Sequence, residues 1–419
     1  MRNANSLLKK IAIYITPLYI LSMARKLVYL DNAKTTKIDP SVLAEMKKYF
    51  LRDYAAPSST EYGHSPGMRT REALQKAKEI IARRINAGPD EIIFTSGEVE
   101  NDNLGIKGAC FAHDIRDEKN HIITTKIERK PILDVFKTLE SMGCYKASYI
   151  GVDKEGFVDI EELEKTVTEK TLLVAVQHAN QEIGTMQDIA KIGELCRRKG
   201  AIFYVDASQS FTKVPIDVRK MNIDILSVSS DKIHGPKGVA ALYVRDGVRL
   251  HRLFDGGETG DEIRPAGIPD VPGIMGFAKA VEIANEKDNV QTRKMRDYLI
   301  ANLLEIPNTR LNGPEGEKRL CNNVNVSFRF IEGESLLMHL DSKGIAATTG
   351  SACFSSNLQP SHVILALGLA HEDAHGSLRL TLSKFNTMDE MERVVAAARE
   401  MVEKLREMSP FGAGSDVNY

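Results

Sequence analysis

Lys232 stands where covalent chemistry is easiest to imagine. It lies in Ser230-Asp231-Lys232-Ile233-His234-Gly235-Pro236-Lys237-Gly238, a tight Gly/Pro turn between the apolar runs Ile225–Ser229 and Val239–Val244. A lysine kept from water there can attack a carbonyl and hold it as a Schiff base. The plainer alternative is a surface lysine in a hairpin-like loop. Three other apolar runs end on residues of interest. Ile92–Thr95 passes through Ser96-Gly97 into a helix start at Glu98-Val99, whose free backbone N–H groups suit a phosphate. Leu172–Gln177 leads into His178-Ala-Asn180-Gln-Glu-Ile-Gly184, and Ile202–Val205 into Asp206-Ala-Ser-Gln209. An aspartate at such a strand end is either a helix cap or a charge aimed into a site. Taken together, these are the parts of a pyridoxal phosphate (PLP) site. The lysine holds the aldehyde, a carboxylate faces the ring nitrogen, and a helix start takes the phosphate.

These residues need a sheet to bring them together. β-type runs alternate with helical patterns at 70–85, 130–142 and 187–199, which predicts an α/β fold whose strand ends share one edge. Asp159-Ile-Glu-Glu and Thr387-Met-Asp-Glu have capping-box spacing. From about residue 285 the pattern changes. A charged helix is expected at 281–304, strands near 308–312, 323–329 and 377–382, and helices near 333–342 and 388–407. The expected division is an N-terminal extension at 1–23, a large α/β domain at 37–284, a smaller α+β domain from 24–36 with 285–410, and a loose tail at 411–419.

Composition sets the class. The 419 residues are 42% hydrophobic and 27% charged, as in ordinary globular proteins. Lys plus Arg number 56 and Asp plus Glu 57, a net charge of −1. That balance disfavours binding to nucleic acid or anionic membrane by bulk charge. Five widely spaced cysteines without a CxxC disfavour a disulfide framework and point to a reducing, cytoplasmic setting. The apolar stretch 11–23 is too short to span a bilayer and contains Pro17, and Met23 offers a second start. An upstream extension of a cytoplasmic protein is expected rather than a targeting segment.

At this level the chain resembles the NifS/IscS-type cysteine desulfurases, within the class V, fold-type I PLP enzymes. The resemblance rests on YLDNAKTT (29–36), FTSGEVENDNLGIKG (94–108), VQHANQEIGTMQDI (176–189), YVDASQS (204–210), SVSSDKIHGPKGVAALYVR (227–245), NNVNVSF (322–328), EGESLLMHLD (332–341), TTGSACFSSNLQPSHVILALGL (348–369) and HGSLRLTLSKFNT (375–387). It implies a mostly parallel seven-stranded sheet between helices plus a smaller α+β domain. It makes Lys232 the PLP lysine, Asp206 the ring-nitrogen partner, Gln209 a partner of the ring hydroxyl, Asn180 a contact to ring and substrate, and Ser229 a phosphate ligand. Arg379 becomes the clamp on the substrate carboxylate. Cys353 becomes the cysteine that carries a persulfide. Sulfur would pass from L-cysteine to an iron–sulfur scaffold protein, L-alanine would leave, and the enzyme would be a homodimer.

The departures from the family cluster at the cofactor. Arg129 stands where the family stacks a histidine on the ring, and arginine cannot shuttle protons as histidine does. Asp231 replaces a histidine that binds the phosphate, Val99 replaces a phosphate-binding threonine, and Ile268 falls where the partner subunit supplies a threonine. Lys34 replaces a small residue, and Glu61 ends the Ala56-Pro-Ser-Ser motif. A carboxylate ~4 Å from a phosphate repels it by a few kcal/mol at an effective dielectric of ~20. Three lost phosphate contacts would remove roughly 4–9 kcal/mol. Two alternatives follow. One is a PLP-poor or PLP-free relative that relays sulfur or lends Cys353 as a ligand to a [2Fe-2S] cluster shared with a scaffold. The other is a related PLP enzyme acting on an amino acid such as selenocysteine.

Overall fold

The computed structural model describes residues 27–58, 60, 62–113, 119–256, 267–350, 360–370 and 374–408. Its centre is a seven-stranded sheet. The strands are β2 (Ile92–Thr95), β3 (His121–Thr125), β4 (Lys146–Ile150), β5 (Thr171–Gln177), β6 (Ile202–Asp206), β7 (Ile225–Ser229) and β8 (Ala240–Val244), in the order β2-β8-β7-β6-β5-β3-β4. Only β8 runs against the rest: it pairs antiparallel with both β7 and β2, while β7, β6, β5, β3 and β4 pair in parallel. Every residue of β5, β7 and β8 is buried. Their burial on both faces, with mostly apolar residues and only Thr, Ser and Gln among them, is what a parallel sheet covered on both faces requires.

Two apolar clusters sandwich this sheet. Ile123, Val174, Phe203 and Leu226 belong to one, and Ile122, Leu173, Tyr204 and Ile225 to the other. Consecutive strand residues thus point to opposite faces. A further cluster joins Val28 and Leu30 to Leu299, Val324, Leu336, Leu380 and Val394. It lies on a three-stranded antiparallel sheet, in which β10 (Asn323–Phe328) separates β12 (Ser377–Thr381) from β9 (Thr309–Leu311). β1 (Val28–Tyr29) pairs in parallel with β11 (Ile345–Ala346). That pairing carries the segment after β1 to the large sheet.

The seven-stranded, mostly parallel sheet matches expectation, and Ile92–Thr95 and Ile225–Ser229 fall as read. Two readings need correction. The charged helix expected at 281–304 is two helices, Val271–Ile283 and Glu286–Leu304. Asn285 caps the second by accepting from Asp288 N–H, so the chain breaks at 284–285. β4 was not anticipated. Its sequence, KASYI, lies at the sheet edge with Lys146 exposed and lacks a clean apolar period. The capping box at Thr387 closes from both sides, while the one at Asp159 forms only its first half, because the Glu162 carboxyl accepts from Gly151 N–H instead. Asp159 accepts from Glu162 N–H, and Thr387 N–H donates to Glu390 while Glu390 N–H donates to Thr387 Oγ1.

Candidate active site

The carboxyl ends of β2, β3, β5, β6 and β7 converge on one edge of the sheet, the place where open α/β sheets collect ligands. Lys232 follows β7 in a single 3-10 turn, Ser230–Lys232. The turn is tightly built. His234 has φ of +67°, and a side chain at Gly235 would run into Ser230 Oγ. The geometry turns the Lys232 amine inward, where its Nζ donates to Lys34 O at 2.7 Å and to Asp231 Oδ2 at 2.9 Å. Glu98 Oε2 stands 3.6 Å away. Lys232 is buried, so the surface-lysine alternative does not hold. Lys34 takes part through its backbone, and its side chain is exposed.

Asn180, Asp206 and Gln209 reach the same edge. Asn180 Oδ1 accepts from Glu182 N–H and Ile183 N–H and closes the turn after β5. Gln209 Nε2 donates to Ala33 O at 3.0 Å and holds the N-terminal segment over the site. Asp206 Oδ1 accepts from Ser208 N–H at 2.9 Å. Its Oδ2 accepts from Arg129 Nε at 2.5 Å. Burial pushes the Asp206 carboxyl up, but Arg129 and Ser208 outweigh it and hold the group below the usual carboxylate range.

Arg129 enters an acid cluster that the sequence reading did not include. It is 4% exposed. Its guanidinium touches three carboxyl groups: Asp206, Asp102 at 2.7 Å and Glu98 at 3.2 Å. Burial opposes its charge, and the three acids more than restore it. Asp102 was missed. It lies one helical turn after Glu98, so both carboxyls share a face, and that i,i+4 spacing was the available signal. Tyr204 Oη donates to Asp102 Oδ1 at 2.6 Å. The helix approaches this tyrosine closely because residue 105 is glycine; a side chain there would come within 2.6 Å of the Tyr204 ring. Burial lifts the Asp102 carboxyl to about 7, a rise that Arg129 limits.

Glu128 is a second buried acid beside the site. Thr125 Oγ1 and Gln177 N–H donate to it, and burial raises its pKa to about 8. The folded chain therefore keeps a proton that the unfolded chain releases above pH 4.5. The resulting stability is complete below pH 4.5 and is lost as pH rises toward 8. Glu128→Gln should remove that dependence. Between pH 6 and pH 9 its unfolding free energy is expected to gain about 2–3 kcal/mol on the parent, read from urea melts at each pH. A constant difference between the two proteins would show that Glu128 is ionised in the fold.

The remaining sites separate. Ser229 Oγ donates to Asp231 Oδ1 at 2.6 Å, so this hydroxyl is engaged by the carboxyl that replaces a phosphate-binding histidine. Val99 is 52% exposed at the helix start, and Ile268 is 80% exposed on the surface. Arg379, on β12, donates from Nη2 to Asp31 Oδ1 at 3.0 Å, while its buried Nε has no hydrogen-bond partner among the described residues. Asp31 and Glu182 were not anticipated. Glu182 is buried, bonded by Ser361 and within electrostatic reach of Arg379. Cys353 lies outside the described residues. Among the described residues, no group of three or more His, Cys, Asp or Glu could hold a metal, and no helix is long and apolar enough to cross a membrane.

A buried lysine, a carboxylate and a helix start at the ends of parallel strands define a PLP-type enzyme fold, and residues 28–394 match the aminotransferase class-V family, to which the chain belongs. Within it, the chain is 45% identical over 393 residues to cysteine desulfurase IscS of Methanosarcina thermophila, covering 93% of this chain and 95% of that protein. A solved NifS-like protein superposes with a TM-score of 0.83 at 34% identity, over 91% of this chain and 100% of that one. SspA, solved in complex with cysteine, matches at a TM-score of 0.76 and 33% identity, over 86% of this chain and 100% of that one.

The residues fit PLP along its ring edge. There Lys232 would supply the amine and Asp206 the carboxylate for the ring nitrogen, with Gln209 and Asn180 at the same sheet edge. The phosphate end is the weaker half, because Asp231 and Glu98 place carboxyl groups beside the helix start.

Proposed function

We propose that this chain is a PLP-dependent cysteine desulfurase that moves sulfur from L-cysteine to a Cys353 persulfide, releases L-alanine and feeds iron–sulfur cluster assembly. The observation that supports it most is that Lys232 and Asp206, both buried, stand at the carboxyl ends of the neighbouring strands β7 and β6. When bound, PLP supplies an electron sink that stabilises negative charge at the substrate Cα. The chain supplies the rest. Arg379 Nε, buried and without a partner among the described residues, binds and orients the substrate carboxylate. Lys232 Nζ, held by Lys34 O and Asp231, takes and returns the Cα proton. The Cys353 thiolate attacks the substrate sulfur. A sulfur–sulfur bond forms as the carbon–sulfur bond breaks, and the electron pair left on carbon is protonated on the way to alanine. The active form is a homodimer in the cytoplasm, with 37–284 as the PLP-binding domain and 24–36 with 285–410 as the smaller α+β domain.

Two assays test this reading. With PLP and L-cysteine, the purified chain is expected to release one alanine for each sulfur transferred. Mass spectrometry of alkylated peptides is expected to find the extra sulfur on Cys353. Alanine without sulfur on Cys353 would reassign the acceptor, and no alanine would end the proposal. A second reading draws on Asp231 and Glu98 at the phosphate end: a PLP-poor protein that lends Cys353 to a scaffold as relay or [2Fe-2S] ligand. Iron and sulfide bound by a mixture of chain and scaffold without PLP would favour it.

A further inference from the structure

Asp206, the carboxylate that faces the ring nitrogen in the proposed site, has both oxygens occupied by the chain itself. Ser208 N–H takes Oδ1 and Arg129 Nε takes Oδ2 at 2.5 Å. A pyridinium N–H and the Arg129 Nε–H would therefore make the same charge-assisted hydrogen bond to the same atom. Arg129 also has two other anchors, the buried Asp102 and the half-buried Glu98. Its Nη2 lies 2.7 Å from Asp102 and its Nη1 3.2 Å from Glu98. Asp102 is itself fixed by Tyr204 Oη, so it stays in place whatever Arg129 does.

We infer that Arg129 is an internal occupant of the ring-nitrogen position, and that PLP enters this chain by displacing Arg129 from Asp206 onto Asp102 and Glu98. The displaced guanidinium keeps two of its three carboxyl partners, so it need not leave the site or lose its charge. Loading thus exchanges one cation on Asp206 for another. The exchange weakens PLP binding without touching Lys232, and Arg129 becomes a positioning residue that sets how much PLP the chain holds. The inference rests on the proposed cofactor site.

The test is a titration of the cofactor-free full chain with PLP, followed by the visible absorbance of the lysine-bound cofactor and by thermal melting. Arg129→His removes the competing cation and is expected to lower the Kd for PLP at least about tenfold. The same change should enlarge the PLP-induced rise in Tm. Equal affinity in the parent and Arg129→His, with the band present in both, overturns the inference and leaves the site assignment standing. No band in either protein removes the site assignment and the inference with it. A crystal structure of the unaltered chain grown with PLP is independent of how the variant folds. Arg129 on Asp102 and Glu98, with the ring nitrogen on Asp206, supports the exchange; Arg129 still on Asp206 beside bound PLP overturns it.

Discussion

Lys232→Ala is expected to lower alanine release from L-cysteine by about 10³-fold or more, the range for removing a positioned general base. The loss follows from geometry. The amine is buried, its donors are directed by Lys34 O and the adjacent Asp231, and the turn that aims it contains a left-handed His234 and a crowded Gly235. No second lysine is held in that turn; Lys237 is exposed. The variant should keep its fold, because Lys232 makes no contact that the sheet depends on and its neighbours Ser230 and Ile233 carry the turn's backbone bonds. Far-UV circular dichroism of the variant checks this. Loss of the visible band together with loss of alanine release is the expected pair of results. An unchanged rate would mean that another base takes the Cα proton.

The sheet and the Lys232 half of the site were legible in the sequence because each depends on short-range pattern. Leu172–Val176 is a continuous apolar run and Ile225–Ser229 a β-rich one, and each leads to a residue that the parallel arrangement delivers to one edge. The Arg129 cluster was not legible for a different reason. Arg129 follows β3 and Asp206 ends β6, and only the order β6-β5-β3 brings them together. Nothing local in the sequence states that order. The reach of one guanidinium to three acids then depends on the register of those strands. Asp31 and Arg379 illustrate the same point over a longer span. Their contact follows from the bridge between Asp31 and Thr381, which a local reading cannot anticipate. The break at 284–285 shows the converse, since a charge pattern that continues across Asn285 conceals a cap that uses only one side-chain oxygen.

Arg379 carries the second large expected effect. Its Nη2 is fixed by Asp31, and its buried Nε has no partner among the described residues, so the side chain is oriented before any substrate arrives. On the proposed function, a substrate carboxylate would complete the guanidinium and gain charge-assisted bonds at little ordering cost. Arg379→Ala should reduce kcat/KM for L-cysteine by about 10²- to 10³-fold, taking ~1.5–3 kcal/mol for each lost hydrogen bond to a charged group. Most of the loss should appear in KM, because a carboxylate remote from the breaking bond is bound alike in substrate and transition state. Arg379→Lys separates charge from shape. Lysine keeps the cation but lacks the planar fork, and its shorter reach cannot satisfy Asp31 and the substrate together. It should recover only part of the loss, and cysteamine, which has no carboxylate, should be processed equally poorly by all three proteins. If Arg379→Ala left KM unchanged, the unpartnered nitrogen would have to answer to something other than substrate. Glu182, buried within electrostatic reach of the same arginine, would then be the first group to test.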